Sequence, residues 1–212
     1  MRFYISILLV IATCVGLHSQ PAIEKQLQTQ LILAEDGDII TLPEGTIFLS
    51  GTLSLDDKNG ITIRGAGQGK TILSFKGQTQ GAEGLKITNA QDIVLEHFTL
   101  EDSKGDLIKT QQVNGLIFRD ITARWSGKPK ETNGSYAFYP VQCTRVRIER
   151  CTAIGASDAG IYVGQSDSVW VHNCVAKNNV AGIEIENTTN AWVYDNHAFD
   201  NTGGILIFDL PD

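Results

Sequence analysis

The chain has few cysteines, and none of them belongs to a CxxC pair or a His/Cys cluster. It contains 4 Cys, 5 Pro and 1 Met in 212 residues. Cys14 lies in the leading apolar segment, so Cys143, Cys151 and Cys174 remain in the rest of the chain. An odd number of cysteines argues against a disulfide framework, and the missing Cys/His spacing gives no metal motif. We therefore predict neither a disulfide scaffold nor a bound metal.

The chain also lacks an excess of positive charge. It has 17 Lys and Arg against 24 Asp and Glu, for a formal net charge of −7. Nucleic acids and anionic membrane surfaces attract basic proteins, so neither is expected as the main partner. The GQGKT segment at residues 67–71 lacks the GxxxxGK[ST] spacing of a phosphate-binding loop. We predict no nucleotide and no other cofactor.

A long apolar run occurs only at the N-terminus. Arg2 precedes an apolar segment over residues 3–17, which polar residues follow. Its length and flanks are those of a secretory signal peptide rather than a membrane anchor. We predict a signal peptide over residues 1–19 and a secreted, periplasmic or cell-surface chain with no transmembrane segment after cleavage. The alternative is lipoprotein processing at Cys14, because IATC loosely resembles a lipoprotein signal.

Glycine is abundant, at 21 residues, and it takes part in a repeat. Residues 140–208 hold three copies of one unit, marked at spacings of 23 and 22 by Cys151, Cys174 and His197, and by Gly160, Gly182 and Gly204. Apolar and polar residues alternate within each copy, which indicates strands, and a fixed period of about 20–50 residues indicates stacked repeats. An ordinary β-sandwich gives no reason for this period. The sequence therefore predicts an all-β, right-handed parallel β-helix over residues 37–212, with about 22–23 residues in each turn.

A short α-helix is predicted ahead of the first turn, within residues 20–36. Ile23, Leu27 and Leu31 recur on one side of this segment. The open end of a β-helix exposes unpaired strand edges and interior apolar side chains, which such a helix can cover. No comparable segment follows Phe208, so we predict that the C-terminal cap is missing and that the chain is a fragment.

The repeat predicts which side chains point inward, and where one turn is enlarged. Two inward columns are expected: Ile61, Ile93, Leu116, Val146, Val169 and Trp192; and Ile63, Leu95, Phe118, Ile148, Val171 and Tyr194. One turn is about 7 residues longer than its neighbours, and the excess falls in the polar loop 125–136. Such a loop on a solenoid often marks the binding face. We predict ligand contacts from Trp125, Lys128 and Lys130 in this loop.

The strand that closes each copy presents one column of side chains outward. This column consists of Lys86, Lys109, Tyr139, Tyr162 and Glu184. We predict that it binds a linear polysaccharide, because lysines neutralise uronate carboxylates and tyrosine rings offer flat faces to sugars. The alternative is that these side chains are polar or aromatic only because they face water. Glu184 and Glu186 are a second candidate, as a carboxylate pair, although a solvated face explains them more simply.

The repeat resembles a known family. The GASDAGIYVGQS and NNVAGIEIENTTN segments are similar to the turns of right-handed parallel β-helix proteins of the pectate-lyase-like superfamily, which bacteria secrete. The resemblance covers nearly the whole chain after the signal peptide. It implies a polysaccharide partner and no definite activity, because that superfamily includes lyases, epimerases, hydrolases and proteins of unknown function.

One segment is also similar to the YG-F-DPH motif of mannuronan C5-epimerases and alginate lyases. Residues 136–141 read YAFYPV. The resemblance implies catalytic roles for Tyr136, at the place of the group's Tyr, and for Lys109, at the place of a charge-neutralising Lys. Tyr139 and Val141 replace the Asp and the His, and a valine cannot abstract the proton α to a carboxylate. Tyr139 would serve as the base only if nearby lysine depressed its pKa.

The sequence leaves three functions open. The first is a secreted β-helix that binds or processes a uronate-containing polysaccharide along its outward face. The second is a polysaccharide lyase or C5-epimerase that acts on an alginate- or pectate-like substrate, by β-elimination or proton abstraction at C5. Its catalytic residues are then Tyr136, Tyr139 and Lys109. The third is a non-catalytic envelope scaffold that works with a protein partner.

Overall fold

The computed structural model describes residues 20–211, so the predicted signal peptide and Cys14 lie outside the described residues. The described range contains an α-helix followed by 19 β-strands. The strands run parallel and stack turn on turn as a right-handed β-solenoid of about seven turns. The predicted fold is therefore confirmed.

Each complete turn contributes strands to three faces of the solenoid. Face one consists of β1 (Ile39–Thr41), β4 (Thr62–Arg64), the first parts of β7 (Gln91–Glu101) and β9 (Asn114–Arg124), β11 (Thr144–Glu149), β14 (Asp167–His172) and β17 (Thr189–Tyr194). Face two consists of β2 (Gly45–Phe48), β5 (Thr71–Ser74), the second parts of β7 and β9, β12 (Thr152–Ile154), β15 (Val175–Lys177) and β18 (His197–Phe199). Faces one and two form one 12-stranded sheet, because β7 and β9 continue through the corner between them.

Face three is a separate 7-stranded sheet. It consists of β3 (Gly51–Asp56), β6 (Gln80–Thr88), β8 (Ile108–Gln111), β10 (Phe138–Val141), β13 (Ala159–Gly164), β16 (Ala181–Glu186) and β19 (Gly203–Phe208). Each of these strands belongs to a different turn, so side chains at equal register form columns along the axis of the solenoid.

The helix α1 (Gln20–Leu33) packs against the first turn. Leu27 and Leu31 are both 3% exposed and join the core. The Gln28 side chain accepts a hydrogen bond from the Ser54 N–H at 2.8 Å and donates one to the Ser54 carbonyl at 2.9 Å. It thereby satisfies backbone groups at the edge of β3 that no strand pairs. This described helix is neither long nor apolar enough to cross a membrane.

The interior is filled by the inward columns that the repeat predicts for the earlier turns. Leu116 pairs in register with Ile93 on one side and Val146 on the other. Phe118 lies in the next column and meets the Phe138 ring edge-on, with 5.6 Å between the ring centroids. All of these side chains are fully buried. Burial of this apolar surface is the main favourable contribution to folding.

Trp192 and Tyr194 face outward, so the prediction that they continue the inward columns is wrong. Trp192 pairs with Trp170, and Tyr194 pairs with His172. The side chains of Trp192 and Tyr194 are 49% and 46% exposed. Ala191, one residue earlier, lies in register with the inward column instead.

A shortened turn causes this shift of one residue. The turn before β13 covers residues 155–158, whereas the turn before β16 covers residues 178–180. The spacing between partners therefore falls from 23 before this corner to 22 after it. The same shift pairs His197 with Val175, so His197 does not continue the column of Cys174. The spacing of 22 between Gly160 and Gly182 reflects this lost residue, whereas the inward columns were extended with the spacing of 23.

The long loop 125–136 covers the corner between faces two and three. Trp125 is 6% exposed, and its indole N–H donates a hydrogen bond to the Ser103 carbonyl at 2.9 Å. A Cβ atom at Gly134 would lie 1.9 Å from the Gly105 carbonyl oxygen and 2.8 Å from the Trp125 ring, so only glycine fits where the loop crosses the preceding turn. Trp125 thus anchors the loop and offers no free ring face to a ligand, contrary to the prediction. Lys128 and Lys130 are exposed on the loop.

Candidate functional site

The outward column predicted from the sequence lies on face three in continuous register. Lys86 pairs with Lys109, and Lys109 pairs with Tyr139. Tyr162, in the next turn, pairs with Glu184. Neighbouring strands lie about 4.8 Å apart, so these side chains form one row along the axis. With Tyr136 added, we call the row the tyrosine face: Lys86, Lys109, Tyr136, Tyr139, Tyr162 and Glu184.

Three tyrosine rings pack together at the centre of the tyrosine face. The Tyr136 ring centroid lies 4.5 Å from that of Tyr139 and 4.7 Å from that of Tyr162. The Nζ atom of Lys109 lies 5.0 Å from the Tyr139 ring centroid, within the range of a cation–π contact. In the sequence, Tyr136 was a candidate only through the resemblance of residues 136–141 to the YG-F-DPH motif. The structure brings the ring into direct contact with it.

Tyr162 is a supporting residue more than a contact surface. It is 7% exposed, and its ring lies over Gly164 in the adjacent outward column. A Cβ atom at position 164 would lie 2.5 Å from this ring, so only glycine leaves room for it. Tyr136 and Tyr139 are half-buried and pack on Tyr162. Their remaining surface is available to a ligand.

Two carboxylates accept hydrogen bonds from the tyrosine hydroxyls. The Tyr136 hydroxyl donates to Asp158 Oδ2 at 3.1 Å, and the Tyr162 hydroxyl donates to Glu186 Oε2 at 2.9 Å. Burial raises the pKa of both tyrosines, and the neighbouring carboxylates raise it further. Both hydroxyls therefore stay protonated near neutral pH, so neither acts as a base there.

Tyr139 is not activated as a base. Burial raises its pKa, and the charges of Asp106 and Glu186 raise it further. The contact with Lys109 does not reverse this direction. The hypothesis that lysine depresses the Tyr139 pKa is therefore wrong, because desolvation of the phenolate and two nearby carboxylates outweigh one cation.

Asp106 is a functional candidate that the sequence did not reveal. Its Oδ1 atom accepts a hydrogen bond from the Tyr136 backbone N–H at 3.2 Å. Burial raises the pKa of Asp106 to about 6, although this hydrogen bond and the charge of Lys109 act in the opposite direction. A carboxyl that titrates near neutral pH beside a cation and phenol groups is suited to accept or donate a proton. The one signal in the sequence was the poor match of residues 105–107 to the repeat.

The tyrosine face is electrically polarised along the axis. Lys86 and Lys109 lie in the earlier turns, and Glu184 and Glu186 lie in the later ones. Burial raises the pKa of Glu184, as do the charges of Asp158 and Glu186. A ligand carboxylate is therefore attracted to the lysine end of the face and repelled from the other end.

A cleft of about 440 Å³ lies between the long loop and the corners of later turns. Lys130 lines it, together with Ser157, Asn179 and Asn201. Lys128 is not among the residues that line this cleft. Within residues 20–211, no group of three or more His, Cys, Asp or Glu side chains is placed to hold a metal ion.

Comparisons with known proteins agree with the fold. The family model described as "Right handed beta helix region" matches residues 56–210. The sequence matches no curated protein. An alginate lyase from Paenibacillus sp. str. FPU-7 has a similar structure, with a TM-score of 0.56 and 19% identity over 82% of this chain and 73% of that chain.

Two further solved structures have a similar fold. For the pectate lyase Pel9A the TM-score is 0.58, at 14% identity over 79% of this chain and 48% of that one. For a pectin methylesterase the TM-score is 0.51, at 11% identity over 82% of this chain and 62% of that one. These three similar structures are two polysaccharide lyases and an esterase, and at such low identities the likeness is one of fold.

The raised pKa of Asp106 predicts a pH-dependent loss of stability. In the unfolded chain the Asp106 carboxyl ionises near pH 4, whereas in the folded chain it keeps its proton until about pH 6. The free energy of unfolding should therefore fall as pH rises from about 4 to 6 and stay lower above that range. Asp106→Asn keeps an oxygen acceptor for Tyr136 and removes this penalty. We expect it to be about 1–2 kcal/mol more stable than the unchanged chain near pH 8, once partial solvent screening is allowed for.

Urea unfolding near pH 8 and near pH 4 measures this difference, which should disappear at the lower pH. Asp57→Asn is the control, because Asp57 is exposed at a corner. Equal stability of Asp106→Asn and the unchanged chain near pH 8 would contradict the prediction.

Proposed function

We propose that this chain, which belongs to the right-handed β-helix family, binds a uronate-containing polysaccharide along the tyrosine face. The observation that carries the proposal is the continuous row on face three. Two lysines there lead directly into a packed group of tyrosine rings. A polymer with a carboxylate on its sugar rings matches both parts of this row.

The two lysines are available for a ligand. Within residues 20–211, neither Lys86 nor Lys109 forms an ion pair. Both residues are partly buried and lie in register on paired strands, whose backbones repeat at about 4.8 Å. Each can therefore approach a carboxylate of a chain that lies along the axis.

The tyrosine rings provide the second part of the interaction. Tyr136 and Tyr139 lean on the buried Tyr162 ring, and the Tyr136 hydroxyl is held by Asp158. A rigid aromatic surface loses little conformational entropy when a sugar ring packs on it. Residues that merely faced water would not need this packing or these hydrogen-bond partners.

Other findings support a polysaccharide as the ligand class. The similar structures are named for alginate, pectate and pectin as the polymers concerned. The predicted signal peptide would carry the chain to the periplasm or cell surface, where polysaccharides of this kind are met. The cleft that Lys130 lines would receive a side branch or a neighbouring ring of the polymer.

Removal of the Lys109 side chain or the Tyr139 ring should weaken binding of polygalacturonate and alginate. We expect Lys109→Ala and Tyr139→Ala each to reduce affinity about tenfold, since each removes a contact worth about 1.4 kcal/mol. Calorimetric titration with oligouronates of defined length measures the affinity. Combining Lys86→Ala with Lys109→Ala should also make the affinity less dependent on salt concentration. Lys70→Ala, on an exposed turn away from face three, is the matched control. Unchanged affinity in the Lys109 and Tyr139 variants would sink the proposal and favour a scaffold for a protein partner.

The position of Asp106 favours a second candidate function, a lyase or C5-epimerase. In this reaction the Asp106 carboxylate takes the proton from C5 of a uronate ring, while Lys109 neutralises the ring's carboxylate. In a lyase the electron pair then forms the C4–C5 double bond and expels the C4 oxygen. The Tyr136 hydroxyl, which stays protonated, gives its proton to that oxygen. Asp106 would thus act as the base, a role that Tyr139 and Val141 cannot fill.

Lyase activity should depend on Asp106 and rise with pH through about 6, as its carboxyl ionises. Incubation with alginate and with pectate, followed by the ultraviolet absorbance of the unsaturated product, measures this. We expect Asp106→Asn to lose at least about 100-fold in rate while binding is retained. Loss of activity cannot then be ascribed to unfolding, because that substitution should stabilise the chain. Product formed by Asp106→Asn at the unchanged rate would exclude Asp106 as the base. Binding without any product would leave the binding function alone.

A further inference from the structure

We propose a second ligand site on face one, a cleft around Arg147 and Trp170 that binds a carboxylate-bearing sugar ring. The cleft has a volume of about 370 Å³ and lies on a different sheet from the tyrosine face. We call it the arginine cleft. The lining residues that matter are Asp92, Val94, Ile117, Arg145, Arg147 and Trp170.

The floor of the arginine cleft is apolar. Val94, Ile117, Arg147 and Trp170 follow one another in register in a single outward column. The adjacent outward column is charged at the same turns, with Glu96, Arg119 and Glu149. Aliphatic side chains in only one of two neighbouring outward columns mark a strip that is suited to contact a partly apolar ligand.

One wall of the cleft is a fixed aromatic ring. The rings of Trp170 and Trp192 stack with centroids 5.0 Å apart and planes 7° apart. The stack uses the face of Trp170 that is directed to the following turn. The other face of the Trp170 ring is directed to the preceding turn, which carries Arg147. The C–H groups of a sugar ring can pack against this held surface.

Arg147 supplies the positive charge. Arg145 is already held by Asp92, with 2.9 Å between Nη2 and Oδ1, and by Asn114. Within residues 20–211, the other arginines all have carboxylate partners, at Arg64, Arg119, Arg124, Arg145 and Arg150. Arg147 has neither an ion pair nor a side-chain hydrogen bond to a described residue, and it is exposed. A free guanidinium over an apolar floor is a site for a planar, bidentate carboxylate.

These three features together select the ligand. A uronate ring offers a carboxylate to Arg147, C–H groups to Trp170, and an apolar edge to the aliphatic floor. A neutral sugar lacks the group that would pair with Arg147, and a free phosphate lacks the ring that would cover Trp170. The two sites lie on different sheets, so one molecule can hold uronate rings at both.

Calorimetric titration with digalacturonate tests the arginine cleft. The background variant carries Lys109→Ala and Tyr139→Ala, so that the tyrosine face contributes much less to the signal. In this background we expect saturable binding, a loss of at least tenfold on Arg147→Gln, and a smaller loss on Arg147→Lys. Trp170→Ala should also weaken binding about tenfold. Arg124→Gln is the matched control, because Arg124 lies on face two and pairs with Glu101 at 2.9 Å.

Several results would overturn this site. They are the absence of digalacturonate binding in the background variant, and unchanged affinity after Arg147→Gln. Equal affinity for the neutral disaccharide of galactose would refute the role of the carboxylate. Equal affinity for benzoate would refute the sugar ring as the ligand. None of these results bears on the tyrosine face, whose own variants are tested in the chain with Arg147 intact.

Discussion

Parallel hydrogen bonding between successive turns is the constraint on which the rest of this molecule depends. Each strand within the stack pairs with the strand one turn earlier and one turn later, so neighbouring side chains on a face repeat at about 4.8 Å. A slip of one residue would expose the inward side chains and bury the outward ones, so the buried columns fix the register. The same register also determines which side chains form the outward columns. Both proposed sites result from this register, and each lies on a different sheet.

The same parallel pairing of strands produces two surfaces with different chemistry. On face three the cations Lys86 and Lys109 meet a group of three tyrosines, and carboxylates accept hydrogen bonds from two of their hydroxyls. On face one, charged residues pair with one another in a network around Glu96 and Glu149. Among the arginines of residues 20–211, only Arg147 lacks a carboxylate partner. Unpaired cations next to ordered aromatic rings are the feature that the two surfaces share. This is why a carboxylate-bearing sugar suits both, although the net charge of the chain is −7.

The sequence predicted the fold because a period of 22–23 residues, with alternation inside it, has few other structural explanations. It also predicted the register from Lys86 to Glu184, since alternation fixes which side of a strand each residue takes. It failed at Trp192, because a single residue lost from the turn at 178–180 leaves the alternation intact but moves the column. The spacing of 22 between Gly160 and Gly182 contains the shortened turn, whereas the spacing of 23 between Cys151 and Cys174 does not.

The chemistry of the site was less accessible from the sequence. The role of Trp125 depends on its burial and on its hydrogen bond to the Ser103 carbonyl, 22 residues away, and polar composition suggested an exposed segment instead. The raised pKa of Asp106 arises from burial beside Tyr136, a residue 30 positions away. Desolvation of a carboxyl is a tertiary property, so a short aspartate-containing turn gives no sign of it.

A crystal structure of the chain with a short oligogalacturonate bound tests the central claim most directly. The account predicts ordered sugar rings against Tyr136 and Tyr139, with a uronate carboxylate within about 4 Å of the Lys109 ammonium group. Ordered sugar on another face, with the tyrosine face free of ligand in the same crystal, would contradict it.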